Sequence, residues 1–253
     1  VPLGAFLSGG IDSSAVVAFM AKASDKPVNT YSVTFDLEQH KRELNYAKLI
    51  AETFSTNHKE LNVKVDTAEL LPEIIWNFDQ PIGDPALIPT YLLAKSIKQY
   101  ATVVLTGDGS DEIFAGYEHY KFMMLFEKYL KPVPKVISRK ALPFMVSKTP
   151  MGLLNKFFEY SSSLGEEGLN RFTQIMKHLD ERDKSFHNLY SVFTEEEKGQ
   201  LYSAKDGIDV SQMRNNFKRY FNSRSDRHDF LNEMLMYEIE VTLPDDFLMK
   251  VTG

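Results

Sequence analysis

The first 120 residues alternate between short apolar runs and stretches of helical periodicity. Runs rich in apolar, β-branched or aromatic residues predict four strands, at residues 4–7, 29–35, 58–63 and 101–106. The fourth run is almost continuously apolar, which is typical of a parallel strand buried on both faces. Strands that alternate with helices predict right-handed crossovers, so the expected fold class is α/β with a doubly wound, mainly parallel sheet.

The segments between these strands carry apolar residues three or four positions apart, as on one face of a helix. We predict a buried helix at 15–21, a polar loop at 36–42 and an amphipathic helix from Glu43 onward. The segment 84–90 is expected to be a loop that leads into another helix. The residues predicted to pack in the later helices are Ala47, Ile50, Ala51 and Phe54, then Leu71, Ile74, Ile75 and Phe78, then Tyr91, Leu92 and Ala94.

The second half of the chain has a different pattern. Prolines interrupt short helical patterns, and no segment after Gly116 has the character of a strand. Residues 194–197 resemble a capping box, and Asp226 is placed to cap a helix that begins near Phe230. We therefore predict a sheet-containing domain at 1–120 and an all-helical portion at 121–253, whose aromatic and methionine residues form a core.

Composition narrows the class of protein. A chain of 253 residues that is 43% hydrophobic can bury a sizeable core, and its net charge of -6 argues against a nucleic-acid partner. The absence of cysteine excludes disulfides, thiolate zinc sites and cysteine nucleophiles within the chain. No membrane-spanning run or signal peptide is present, so we expect a cytoplasmic protein without membrane contact. The chain starts at Val1, without methionine, and we expect a piece of a longer protein.

A glycine-bearing loop follows the first predicted strand. Its sequence, Leu7-Ser8-Gly9-Gly10-Ile11-Asp12-Ser13-Ser14, stands between that strand and a helix. Paired glycines permit a tight turn, and a helix N-terminus attracts anions, so the loop is suited to a phosphate. Asp12 is a candidate Mg²⁺ ligand, although an acid at a helix start is also common. The loop lacks the lysine of the Walker motif, and a plain glycine turn with a serine cap is the simpler alternative.

A second glycine-bearing loop follows the fourth predicted strand. Its sequence, Thr106-Gly107-Asp108-Gly109-Ser110-Asp111-Glu112, places three carboxylates after a tight turn. Such a cluster favours a bound cation or tuned pKa values, whereas a simple helix cap is the alternative. Because both loops follow parallel strands, we expect them at the same edge of the sheet. This convergence favours a functional site.

Taken together, the motifs resemble one family. They are Ser-Gly-Gly-Ile-Asp-Ser-Ser at 8–14, Tyr-Ser-Val-Thr-Phe at 31–35, Asp-Gln-Pro at 79–81, Asp-Pro at 84–85, Thr-Gly-Asp-Gly-Ser-Asp-Glu-Ile-Phe-Ala-Gly-Tyr at 106–117 and Leu-Pro-Asp-Asp-Phe-Leu-Met-Lys-Val at 243–251. In order and spacing they resemble the synthetase domain of glutamine-hydrolysing asparagine synthetases, in the ATP pyrophosphatase (PP-loop) superfamily. The resemblance implies an adenine nucleotide alpha-hydrolase-like sheet followed by helices.

The resemblance also implies a reaction and its partners. Synthetase domains of this family use ATP and Mg²⁺ to adenylate the side-chain carboxylate of aspartate, with release of pyrophosphate. Ammonia then displaces AMP to give asparagine. The ammonia comes from glutamine through a glutaminase domain of the same protein, and a homodimer is left open.

Roles for individual residues follow from the resemblance. Pyrophosphate would be held by Ser8, Gly9, Gly10, Asp12, Ser13 and Ser14, and Mg²⁺ by Asp12 and Asp111. Leu7 and Val33 would frame adenosine through backbone contacts, with Thr106 and Gly107 beside the ribose and α-phosphate. Asp108 and Glu112 are the candidate catalytic residues, although the family often has glutamate at position 108.

Departures from the family pattern leave open which carboxylate is amidated. Gln80 and Ala86 replace a glutamate and a serine that are common in the family. The chain also ends before a basic lysine stretch of the complete enzyme, so we expect it to be incomplete for activity by itself. The alternatives are adenylation of another carboxylate, as in the β-lactam-forming relatives or other amidotransferases, and a non-catalytic nucleotide-binding module.

Overall fold

The computed structural model describes most of the first half of the chain and selected parts of the second. The described residues are 1–34, 41–63, 67–78, 83–84, 86–129, 133–134, 137, 141, 144, 148, 175, 178, 181–191, 193, 195–202, 218–221 and 230–248. The predicted helix caps at Thr194 and Asp226 and the segment 79–81 lie outside these ranges.

Four parallel strands form one sheet. They are β1 (Leu3–Phe6), β2 (Asn29–Thr34), β3 (Asn57–Asn62) and β4 (Val103–Leu105), in the spatial order β3-β2-β1-β4. In the register, Gly4 lies opposite Asn29 and Leu3 opposite Val103. The chain runs outward from β1 to β3 and then returns to place β4 on the other side of β1. The topological switch point therefore lies between β1 and β4, and sheets of this kind bind ligands at the carboxyl ends of such strands.

Helices connect the strands and make up the described part of the second half. They are α1 (Ile11–Ala23), α2 (Lys41–Thr53), α3 (Thr67–Phe78), α4 (Leu87–Ile97), α5 (Ser110–Phe114), α6 (Glu118–Tyr129), α7 (Arg182–Tyr190), α8 (Glu195–Leu201) and α9 (Phe230–Tyr237), followed by a π-helical segment, Glu238–Leu248. Within the described ranges no strand follows β4. The predicted α/β sheet followed by helices is confirmed.

Each face of the sheet packs on a different set of helices. One face meets α1 and α2 in a cluster of Ala5, Leu7, Val17, Ala47 and Ala51. The other face contributes Tyr31 to a cluster with Ile97 and Ala101, at the end of α4 and just beyond it. This layering holds the carboxyl ends of β1 and β2 in fixed positions.

The chain divides into two compact units. One contains Val1–Asp111 and Ile239–Gly253, and the other contains Glu112–Glu238. The second unit has its own core of Tyr120, Met123, Ile175, Phe186, Phe221, Phe230 and Met234. These aromatic and methionine side chains are core residues, as predicted. The boundary predicted at residue 120 stays a prediction.

The burial of β4 differs from the expectation. A strand buried on both faces was expected at 101–106, but β4 is shorter, and Val103 and Leu105 are 43% and 41% exposed. Val104, which points to the opposite face, packs against the cluster around Tyr31. The reason is position: in the sheet formed by the described residues β4 is an edge strand, and an apolar run does not reveal how much of each face the helices cover.

Two helices begin earlier than expected. Lys41 and Arg42, predicted as loop, belong to α2, and Leu87 to Thr90 form the first turn of α4 although Pro89 lies among them. Proline is tolerated there because N–H groups of a first turn have no intrahelical partner.

Some predicted packing positions also differ from the structure. Ile74 and Phe78 are buried, whereas Leu71, Ile75 and Ala94 are exposed. In α3 and α4, fewer residues are therefore buried than the apolar pattern predicts. None of the helices in the described ranges combines the length and apolar character that a membrane crossing requires.

Candidate functional site

The loop after β1 makes a sharp turn at Gly9. Its φ is +83°, a conformation that side chains disfavour. A Cβ built on Gly9 would lie 2.7 Å from the Ala47 amide nitrogen and 2.7 Å from the Glu43 carbonyl oxygen, both in α2. Backbone atoms of a packed helix cannot move aside alone. Both the turn and the neighbouring helix therefore restrict this position to glycine.

The serine hydroxyls of this loop are hydrogen-bonded within the loop itself. Ser8 Oγ lies 2.9 Å from Ser13 Oγ, and the Gly10 N–H donates to Ser8 Oγ at 3.3 Å. Ser14 Oγ donates to the Gly10 carbonyl oxygen at 2.6 Å. These bonds fix the shape of the loop, so the hydroxyls already have partners without a ligand.

The N-terminus of α1 opens directly from the loop. Gly10 is its N-cap in an extended conformation, and no side chain makes a capping hydrogen bond there. The first N–H groups of any helix have no carbonyl four residues before them. Those of Ile11, Asp12 and Ser13 therefore stand at the positive end of the helix dipole, which favours an anion.

Gly107 brings the second loop against the first. A Cβ built on Gly107 would lie 3.0 Å from the Ser13 amide nitrogen and 3.1 Å from Asp12 Cβ. The two loops therefore meet at the start of α1, beside the switch point between β1 and β4, as the topology predicts. Asp12, a candidate Mg²⁺ ligand, lies in this contact.

The second loop is also held by the π-helical segment. The Asp108 N–H donates to Thr106 Oγ1 at 3.4 Å, and the Ser110 N–H donates to the Gly107 carbonyl at 3.3 Å. A Cβ built on Gly109 would lie 3.3 Å from a methyl carbon of Leu243. The Leu-Pro-Asp-Asp motif thus packs against the glycine loop that precedes it by more than a hundred residues.

The three carboxylates of the second loop have different surroundings. Asp108 is exposed, Asp111 is partly buried and Glu112 is 1% exposed. Glu112 Oε1 accepts a hydrogen bond from the Tyr117 hydroxyl at 2.6 Å, while Oε2 has no hydrogen-bond partner in the described part of the chain.

In the described ranges, no group of three or more His, Asp or Glu side chains is arranged to hold a metal. The cation site considered for the three carboxylates of the second loop stays a prediction. The two-residue ligand set of Asp12 and Asp111 stays a prediction.

A cleft opens at the carboxyl ends of β1 and β2. Its volume is about 200 Å³. Whole ligand sites typically measure roughly 300–1,000 Å³, so this cleft suits one part of a larger ligand. It is lined by Phe6, Leu7, Ser8, Tyr31, Ser32, Val33, Glu43, Leu44 and Leu93. Leu7 and Val33, predicted to frame adenosine, both lie in this lining.

The backbone of Leu7 is largely committed to the sheet. Its N–H donates to the Tyr31 carbonyl at 2.8 Å, and its carbonyl accepts a hydrogen bond from Ser32 Oγ. That carbonyl keeps a second lone pair, so Leu7 can accept from a ligand but cannot donate to one. Burial, with a smaller effect of Tyr100, raises the pKa of Tyr31, whose hydroxyl donates to the Tyr100 carbonyl at 3.5 Å.

The sequence did not single out Glu43, Leu44 and Leu93 as cleft residues. No local motif marks them, because the sheet topology brings them to the end of β1. One signal was available for Glu43. It stands at the start of the helix after β2, and helices that follow parallel strands begin at the ligand-binding edge. Tyr117 was quoted in a motif, but its contact with Glu112 was not expected.

Comparison with known sequences agrees with the motifs. The sequence model described as asparagine synthase matches residues 1–252. The chain belongs to the asparagine synthase family. The predicted resemblance is confirmed.

Individual members of the asparagine synthase family match at similar levels. Glutamine-hydrolysing asparagine synthetase 1 of Bacillus subtilis (strain 168) is 34% identical over 253 residues, which cover 99% of this chain and 36% of that protein. A putative glutamine-hydrolysing asparagine synthetase 2 of Methanocaldococcus jannaschii is 34% identical over 184 residues, 67% of this chain and 35% of that protein. The chain thus spans about a third of the length of these relatives.

Proposed function

We propose that this chain is the ATP-using part of an asparagine synthetase, a ligase that converts aspartate to asparagine. The observation that carries the proposal is the contact of Gly107 with Asp12 and Ser13 in a chain of the asparagine synthase family. That contact joins two loops, each with a carboxylate, at the ligand-binding edge of a parallel sheet.

In this proposal ATP lies along the edge of the sheet. Adenosine occupies the cleft between Leu7 and Val33, and its amino group can donate to the Leu7 carbonyl. The phosphates follow toward the N-terminus of α1, where backbone N–H groups receive the β- and γ-phosphates. Thr106 and Gly107 border the ribose and the α-phosphate. Ser8, Gly9, Gly10, Ser13 and Ser14 give the pyrophosphate loop its shape.

Asp12 and Asp111 are the residues proposed to hold Mg²⁺. Proteins usually bind this ion through one or two carboxylates together with substrate phosphates and water, so two aspartates are a suitable donor set. When bound by these residues, Mg²⁺ would neutralise charge on the leaving pyrophosphate. Asp12 also lies beside the α1 amides, so backbone donors and a carboxylate serve the same end of the triphosphate.

The reaction has two displacement steps. A side-chain carboxylate oxygen of aspartate attacks the α-phosphorus, the bond to the bridging oxygen breaks, and pyrophosphate leaves. Ammonia then attacks the acyl carbon of β-aspartyl-AMP, AMP departs, and the nitrogen loses a proton. Asp108 and Glu112 are the proposed catalytic carboxylates for handling the amine, and the Tyr117 hydroxyl fixes the orientation of Glu112. A glutaminase domain of the whole protein supplies the ammonia.

The test is pyrophosphate and AMP release by the full-length protein with ATP, Mg²⁺, ammonium and a panel of acids. Aspartate is expected to stimulate release and to be converted to asparagine. Asp12→Ala is expected to weaken Mg²⁺-dependent ATP binding at least tenfold. Asp25→Ala, at an exposed aspartate in the turn after α1, is the matched control and should change nothing.

Other results would favour the alternatives. Pyrophosphate release that responds to a different acid and not to aspartate would contradict asparagine synthesis. Ala86 gives a reason for such an outcome, because it replaces the serine that is common in the family. ATP binding that depends on Asp12, without AMP formation by the full-length protein with any of the acids, would indicate a non-catalytic nucleotide-binding module.

A further inference from the structure

We propose that Glu43 recognises the ribose of the bound nucleotide by accepting a hydrogen bond from a ribose hydroxyl. The inference rests on the nucleotide-binding part of the proposed function and adds a residue that determines specificity. It assigns a role to a carboxylate that belongs to neither glycine loop.

The chemical character of the cleft is the first observation. Most of the described lining is apolar, and Ser8 and Ser32 are neutral polar residues in it. Among the described residues that line the cleft, Glu43 is the one with a carboxylate, and it is exposed. A carboxylate at the wall of a largely apolar cleft accepts hydrogen bonds strongly and repels other anions.

The place of Glu43 along the cleft is the second observation. Its carbonyl oxygen lies against the backbone of Gly9, in the loop proposed for pyrophosphate. Glu43 therefore adjoins the phosphate end of the cleft while still lining the cleft itself. In a nucleotide the ribose is the group between the base and the phosphates, so the ribose falls beside a residue that borders both.

Electrostatics then select the group that Glu43 contacts. A phosphate would be repelled by the carboxylate, and the α1 amides offer it a better position. The amino group of adenine is at the far end of the base from the phosphates. The ribose hydroxyls are donors in the intervening region, and carboxylates recognise ribose hydroxyls in other nucleotide-binding sheets.

The experiment compares binding of ATP, 2′-deoxy-ATP, 3′-deoxy-ATP and ITP to the protein by calorimetry, in the presence of Mg²⁺ and without aspartate. Because hydrogen bonds to charged groups are strong, we expect ATP to bind roughly 10- to 100-fold more tightly than at least one deoxy analogue. Glu43→Ala should remove most of that difference. Glu43→Gln should keep part of it, since an amide oxygen still accepts a hydrogen bond.

Glu52→Ala is the matched control, at an exposed glutamate near the other end of α2. It should leave the discrimination unchanged. Glu43 also lies in the first turn of α2, where an acid favours the helix. A purely structural role would weaken all four nucleotides together, so the ratio of affinities is the informative measurement.

Two results would overturn the inference. One is discrimination against the deoxy analogues that survives in Glu43→Ala or is absent from the unaltered protein. The other is a loss of discrimination between ATP and ITP alone, which would assign Glu43 to the base. The measurement involves no turnover, so a protein that prefers the ribose but releases no pyrophosphate would contradict the proposed reaction and leave this inference standing.

Discussion

Replacing Gly107 with alanine tests whether the contact between the two loops creates the site. The added methyl group would lie 3.0 Å from the Ser13 amide nitrogen, 3.1 Å from Asp12 Cβ and 3.3 Å from the Asp12 carbonyl carbon. Ordinary contacts of a Cβ begin near 3.4 Å. None of these three atoms belongs to the movable end of a flexible side chain, so the loops themselves must separate.

The size of the effect follows from that geometry. Inserting a methyl group into a packed contact typically costs about 1–3 kcal/mol, and we expect the free energy of unfolding to fall within that range. The effect on function should be larger than the effect on folding, because catalysis is sensitive to position. A misplacement of about 1 Å can cost roughly 100-fold in rate, so a shift of a few tenths of an ångström is expected to reduce pyrophosphate release about tenfold.

The assay pairs Mg²⁺-dependent ATP binding and pyrophosphate release by the full-length protein with urea unfolding. Gly83→Ala is the control, because a Cβ there meets no atom of the described residues within 4 Å. It should leave both binding and stability unchanged. If Gly107→Ala binds ATP and releases pyrophosphate as the unaltered protein does, the loops are not coupled in the way proposed here.

Two further predictions concern buried polar groups. Tyr117→Phe removes the hydroxyl that donates to buried Glu112, so we expect the free energy of unfolding in urea to fall by about 1–3 kcal/mol. Tyr129→Phe, at an exposed tyrosine, is the control and should leave the free energy of unfolding unchanged. An equal loss in both variants would contradict the importance of this bond. Burial lowers the pKa of His58 despite the opposing charge of Glu60, so the unfolded chain binds a proton here more readily than the folded one. The stabilisation that depends on neutral His58 is therefore present above pH 6.5 and is lost as the pH falls through and below that value. In urea unfolding between pH 7 and 5, His58→Gln should reduce the fall in the free energy of unfolding. An unchanged fall would refute this cause.

The sequence predicted the order of the elements more reliably than their burial. The alternation of strands and helices around β1 and β2 has a local cause, since glycines permit tight turns and β-branched residues favour extended strands. The exposure of Val103 and Leu105 has no such local cause, because it depends on where β4 enters the sheet and on which helices cover that side. A run of apolar residues has the same appearance in an edge strand and in a central strand.

In the candidate site, too, the sequence predicted some features and not others. The glycine loops could be found from the sequence, because each combines a tight turn with charged residues after a strand. The position of Glu43 in the cleft depends on the packing of α2 against Gly9, which involves backbone atoms and carries no residue signature. The surroundings of Glu112 depend similarly on a tyrosine five residues later.

The hydrogen bonds of the first loop indicate which of its groups remain to face a ligand. Ser8 and Ser13 bond to each other, and Ser14 bonds to the Gly10 carbonyl. The groups left to face a phosphate are therefore mainly backbone amides, whose direction depends on the shape of the loop. The motif therefore mainly determines the backbone shape of the loop, and Asp12 adds a negatively charged side chain to it. The side chains that choose the ligand can then lie elsewhere along the cleft, as we propose for Glu43.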